Sequence, residues 1–264
     1  VSRQRLLAYI RYYFHSIGES YGHTYVTLLD LRKNISDNVN ECIDIYDDLI
    51  ADKESISEFL FNQGDKIGLL EYHETEIQVY NILKELSNTN LSYEFDSEII
   101  EKGIKISERQ QGFKFDNEQK QIITSAINQS VVLITGKAGT GKTTLTRALL
   151  NICKLKNLSI NCCALSAKAS QRITEATGFD SSTIHRLLGF QGYSFIHNRN
   201  CPLDCDVLLI DECSMINASL FNSLLQAVQE GTKVILCGDN RQLPPIGYGN
   251  IFNDLLEFKD EFDI

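Results

Sequence analysis

Four short, nearly continuous apolar runs mark the second half of the chain: VVLIT, INCCAL, DVLLID and KVILCG. Runs of Val, Ile and Leu with no alternation are the pattern of parallel strands covered on both faces. Between them lie TTLTRALLNICKL, AKASQRITEATG and ASLFNSLLQAVQE, whose apolar residues recur at helical spacing. Strand and helix in alternation predict an α/β domain, a parallel sheet with crossover helices. Ligands of such a sheet bind at the carboxyl ends of its strands.

The first part of the chain has a different rhythm. Leu6, Leu7, Ile10, Tyr13, Phe14 and Ile17 recur every three or four residues and predict an amphipathic helix. YGHTYV reads as a turn and a short strand, TLLDLRKNI as a helix, SISEFLFNQ as another helix, and KIGLLEY as a short strand. ETEIQVYNILKELSN reads as a further helix. Short helices with a small hairpin suit a winged-helix-like module. SNTNLS and the mixed stretch near 95–112 read as connecting segments. The expected organisation is a mostly helical, winged-helix-like domain over 1–109 and the α/β domain over 110–264.

Composition narrows the classes. With 264 residues, 43% hydrophobic and 23% charged, the chain has the make-up of an ordinary globular protein of about two domains. No apolar run approaches the ~18 residues of a membrane span, and the first residues lack a signal-peptide core. The eight cysteines do not pair into a standard zinc set: His197, Cys201 and Cys205 have no second pair to complete them. Reduced thiols and the cytoplasm are the expectation.

Net charge is −10, which at first sight disfavours a nucleic-acid partner. Residues 1–110 hold 11 Lys+Arg against 20 Asp+Glu, whereas 111–264 hold 14 against 15. The acidity belongs to the front, so the second part is neutral enough for a local basic groove. The acidic front suits a protein partner.

GKAGTGKT at 136–143 fits the P-loop pattern, directly behind an expected strand and ahead of an expected helix. Glycines let backbone N–H groups converge on phosphate oxygens, and the helix N-terminus adds positive potential. Gly136, Ala138, Gly139, Thr140 and Gly141, with Lys142, Thr143 and Thr144, form the expected nucleotide-binding set. Lys142 supplies a cation to the phosphates and Thr143 a hydroxyl ligand to Mg²⁺. Asp211, 69 residues after Lys142 at the end of DVLLID, would be the second Mg²⁺ ligand. Glu212 beside it would polarise the attacking water.

FDNEQKQIITSAI, ALSAKASQRITEATG, SSTIHRLLG and GDNRQLPPIGYG complete a series that, in order and spacing, resembles the early motifs of superfamily 1 helicases. The likeness is closest to the RecD-like, 5′-to-3′ branch, strong over 110–256 and weaker over 1–109. The resemblance implies that Gln119 recognises the adenine of ATP and that Gln242, braced by Asp239 and LPP, senses the γ-phosphate. It implies that Ser166, Lys168, Thr183 and His185 touch single-stranded DNA. It also implies that GFQGYSFIHN, within a short insertion near 189–200, is the hairpin that splits duplex junctions. ATP and Mg²⁺ are the implied cofactors. The family's Pro-Thr-Gly-Arg is LSAK here, which keeps a hydroxyl and a cation but not a guanidinium.

Motors of this type work with two lobes, and the second supplies an arginine to the transition state. The sequence has no room for that lobe after the glutamine motif, so a fragment is expected. Arg241 and Arg186 are poor substitutes, and the chain alone should bind nucleotide without unwinding DNA. Two other readings stand beside this one: a Pif1- or Dda-type motor, and a nucleotide-regulated protein-binding module.

Overall fold

All four apolar runs are strands in the computed structural model, which describes residues 2–52, 58–137 and 139–261. By packing the chain divides into two units. Val1–Val79 with Asn217–Asn222 and Pro244–Ile251 make the first, and Tyr80–Ile216, Ser223–Leu243 and Phe252–Ile264 the second.

In the first unit the order is α1 (Arg3–Tyr21), β1 (Tyr25–Thr27), α2 (Leu28–Val39), α3 (Ile43–Ala51), β2 (Leu60–Gln63), β3 (Lys66–Leu69) and the start of α4 (Leu70–Asn88). The strands form an antiparallel sheet, β1-β3-β2. This order of helices and strands is that of a winged-helix module. Leu6, Ile10, Phe14 and Gly18 fall on one buried face of α1, at the i, i+4 spacing of a helix stripe. The helix ends at Gly22, whose φ of 75° is the left-handed conformation that favours glycine.

SISEFLFNQ does not match its helical expectation where it is described. Residues 55–57 lie outside the described residues, and Leu60–Gln63 is strand β2. The cause is local: Gln63 pairs with Lys66 across a two-residue Gly64–Asp65 turn. Gly64 has φ 66°, as such hairpin turns require. The turn sets the register, so Leu60 faces the core opposite Leu69.

The second unit contains α5 (Ser97–Gln111), α6 (Asn117–Ala126), β4 (Val131–Thr135), α7 (Lys142–Leu155), β5 (Ile160–Ala164), α8 (Ala167–Thr177), β6 (Ser181–Thr183), α9 (Ile184–Leu187) and β7 (Val207–Asp211). It also takes the end of α10 (Ala218–Gln226), then β8 (Lys233–Gly238) and most of α11 (Ile251–Glu257). Its five strands are parallel in the order β4-β8-β7-β5-β6. Burying each Val, Leu or Ile of such strands contributes ~1.5–3 kcal/mol.

The stretch near 95–112 is no connector. Asp96 caps it by accepting from Ile99 N, and Ser97–Gln111 is a helix with Ile100, Gly103, Ile104 and Ser107 buried. A Cβ on Gly103 would stand 2.4 Å from Cγ1 of Ile152 on α7, so glycine lets the two helices approach closely. Residues 80–109 therefore pack with the parallel sheet, and the division between units falls earlier than the expected 109/110. Charge misplaced it because Glu98 and Glu101 lie on the exposed face of α5, and net charge reports surface rather than packing.

Candidate functional site

Because the strands are parallel, their carboxyl ends share one edge of the sheet. Thr135, Gly238 and Asp211 end the adjacent strands β4, β8 and β7, and Ala164 and Thr183 end β5 and β6. The P-loop, the glutamine loop and the acidic pair therefore occupy one half of that edge. Ser166, Lys168, Thr183 and His185 occupy the other.

Gly136, Gly139 and Gly141 have φ of 155°, 83° and 90°, and a Cβ at Gly136 would meet Thr140 Oγ1 at 2.6 Å. Only glycine lets the loop fold this tightly. Lys142 Nζ donates to the carbonyl of Gly136 and, at 3.1 Å, to that of Lys137. Thr140 Oγ1 also donates to Lys137 O, at 2.8 Å. Thr144 N donates to Gly141 O at 3.0 Å, opening α7. Ala138 lies outside the described residues.

Lys142, Thr143, Asp211, Glu212 and Gln242 line one cavity of about 200 Å³, together with Thr146, Cys237 and the side of α8. Burial raises the Asp211 carboxyl above its usual range, opposed by the Glu212 N–H at 2.8 Å and by the charge of Lys142. Burial also raises Glu212, and the charge of Asp211 adds to it, while Arg172 opposes both. Glu212 has a φ of 56°, rare for a residue with a side chain. Such strain concentrates at functional sites.

A hydroxyl and a largely enclosed carboxylate lining the same cavity are hard oxygen donors of the kind Mg²⁺ prefers, so Thr143 and Asp211 fit that ion. Asp239 Oδ1 accepts from Arg241 N at 3.1 Å and Asp239 O from Gln242 N at 3.0 Å, a turn that presents Gln242.

Gln119 sits in a capping box: its Oε1 accepts from Asp116 N at 3.1 Å, and its backbone N–H donates to Asp116 at 2.7 Å. A Cβ on Gly141 would lie 3.8 Å from Gln119 Nε2, so the amide stands beside the P-loop. Ser166 and Thr183 also cap helices, accepting from Ala169 N at 3.1 Å and Arg186 N at 3.2 Å. Lys168 is exposed. The His185 ring packs edge-on against Phe190, 5.4 Å away, and near Phe195 at 5.9 Å. Phe190 and Phe195 bridge antiparallel, leaving Tyr193 95% exposed at the tip of a small hairpin.

Sequence reading missed Arg172. It stands on α8 among residues of helical character, and only the fold brings it to the cavity.

A family model described as an AAA domain matches residues 119–248. The ATP-dependent RecD2 DNA helicase of Deinococcus radiodurans is 41% identical over 132 residues, 50% of this chain and 18% of that protein. The RecBCD enzyme subunit RecD of Haemophilus influenzae is 32% identical over 225 residues, 73% of this chain and 34% of that protein. The chain is a homologue of the RecD-like superfamily 1 helicases. RecD of Buchnera aphidicola subsp. Acyrthosiphon pisum extends the likeness to 95% of the chain, at 28% identity and 43% of its own length. The RecD-like chain thus spans between 18% and 43% of these relatives. Its AAA domain is a P-loop domain of the kind that binds nucleoside triphosphates. Among its described residues no helix is long and apolar enough to cross a membrane.

Proposed function

We propose that the RecD-like chain is the front part of an ATP-dependent DNA helicase that moves 5′-to-3′ on single-stranded DNA and opens duplex junctions. The observation that carries this reading is the cavity at the carboxyl ends of β4, β8 and β7, where Lys142, Thr143, Asp211, Glu212 and Gln242 converge. In this reading the loop from Gly136 to Gly141, with Thr144 behind it, cradles the phosphates by its N–H groups. Lys142 leaves its loop carbonyls for the β- and γ-phosphates. Thr143 and Asp211 hold Mg²⁺, which when bound neutralises phosphate charge. Glu212 orients the attacking water and takes its proton, and its raised pKa suits a general base. Gln242 contacts the γ-phosphate, and Gln119 turns its amide to the adenine edge.

Lys168, Ser166, Thr183 and His185 then form the single-strand contact on the β5–β6 side. The hairpin with Tyr193 at its tip stands at the junction. The acidic first unit is the surface for a protein partner.

The experiment is nucleotide binding with and without Mg²⁺. The parent should bind ATP, and Lys142→Ala should lose most of that affinity while keeping its unfolding midpoint. Unchanged affinity in the folded variant would remove the site from this role.

A further inference from the structure

The cavity holds an unexpected cation. Arg172, on the middle turns of α8, lines it together with Glu212 and Gln242. Its one near acidic neighbour on the same helix face, Glu175, is held by Gln171 Nε2 at 2.8 Å. Among the described residues Arg172 has no ion pair, although its charge reaches Glu212. Lys142, the other cation lining the cavity, is turned onto two loop carbonyls.

Two carboxylates side by side repel a triphosphate unless cations offset them. Mg²⁺ on Asp211 would offset one, leaving Glu212 facing the terminal phosphate. A guanidinium can grip two phosphate oxygens at once, stays charged at any working pH, and sits at the end of a reach that suits a cavity wall.

We propose that Arg172 is a γ-phosphate ligand supplied by this domain itself, which makes the site prefer a nucleoside triphosphate over a diphosphate. The inference rests on the proposed ATP site and adds a contact that neither the P-loop nor the acidic pair provides. Since Arg172 lies on the helix that Ser166 caps and whose first turn carries Lys168, the same helix bears on both halves of the sheet edge.

Calorimetric titration of the chain with Mg²⁺ and either ADP or a non-hydrolysable ATP analogue tests it. The parent should bind the analogue more tightly. Arg172→Met should weaken the analogue by about tenfold, the scale of one lost charge-assisted contact, and leave ADP within about twofold. Arg172→Lys should fall between, because a point charge replaces a fork. If Arg172→Met folds poorly, Arg172→Gln takes its place, with unfolding midpoints checked for each.

An unchanged preference in the folded variant, or equal loss of both ligands, would overturn the role of Arg172. A parent that binds both nucleotides equally well would do the same. A parent that binds neither, indistinguishable from Lys142→Ala, would instead overturn the ATP-site reading and this inference with it.

Discussion

At Glu212 one residue combines a left-handed backbone, a half-buried carboxyl and a carboxylate neighbour in Asp211. Each feature is unfavourable alone, and together they hold an acid in the wall of the cavity that Lys142 and Thr143 also line, where the proposed function puts the attacking water. Glu212→Gln should keep nucleotide affinity within about threefold, since an amide preserves the shape, while slowing turnover in a complete motor. Normal turnover would remove Glu212 as the base. The raised pKa values also set a pH dependence. A buried acid whose folded pKa exceeds its unfolded value takes up protons earlier in the fold than in the unfolded chain. Its penalty on stability is therefore present at neutral pH and is relieved as pH falls through the raised value. Metal coordination needs the ionised form of Asp211. As pH drops, Mg²⁺-dependent nucleotide affinity should therefore begin to fall at a higher pH than an ordinary carboxylate would give, while the penalty that this acid places on the ligand-free fold is relieved. Nucleotide titrations and unfolding curves followed downward from neutral pH should show these two opposite trends, and affinity that held until the ordinary carboxylate range would contradict them.

Among the elements, α5 and α6 show how the sheet's flank is held. Gly103 gives up helix propensity so that α5 can lie against Ile152. Gly103→Ala would gain up to ~1 kcal/mol in a free helix. Here its Cβ meets Ile152 at 2.4 Å, so a net loss of about 1–3 kcal/mol is expected in denaturant unfolding. The C-terminal end of α6 is closed by Lys233, fully buried at the start of β8. Its Nζ donates to the carbonyls of Ala126, Ile127 and Gln129. Burial pulls its pKa down to about 8. Lys233→Met would strand those carbonyls and should cost about 2–4 kcal/mol. Since α6 carries Gln119 at its other end, hydrogen exchange there should rise as well.

For the whole molecule, the division of labour proposed for the sheet edge predicts separable defects. Lys168→Ala should weaken single-stranded DNA binding and flatten its dependence on salt, because one fewer phosphate contact releases fewer counterions. Nucleotide affinity should stay unchanged, since Lys168 follows β5 and lies outside the residues lining the cavity. Loss of both activities together would contradict a sheet edge split into two halves. Within the first unit, Tyr248 stacks on Tyr72 at 3.7 Å, and its carbonyl accepts from Ala218 N at 2.9 Å. That packing makes the segments at 217–222 and 244–251 part of the first unit's own structure.

Four of the sheet's five strands were legible in the sequence because a strand covered on both faces can tolerate few polar residues, and VVLIT or KVILCG has little other use; β6, the polar Ser181–Thr183 at the sheet's edge, carries no such run and was not. The P-loop was legible because its glycines, lysine and threonine each answer a local demand of phosphate binding. The short hairpin at Gly64 and the helix at 97–111 were not. A turn overrode the helical pattern in the first, and close packing on Ile152 gave Gly103 its reason in the second. Arg172 shows the same limit at the site. Its spacing on α8 is helical, and nothing along the chain separates it from Gln171. A parallel sheet gathers residues from distant loops at one edge, and flanking helices decide which side chains point there. That choice depends on three-dimensional packing, so the residues with local chemistry were readable from sequence, and those that matter through their neighbours became visible only in the fold.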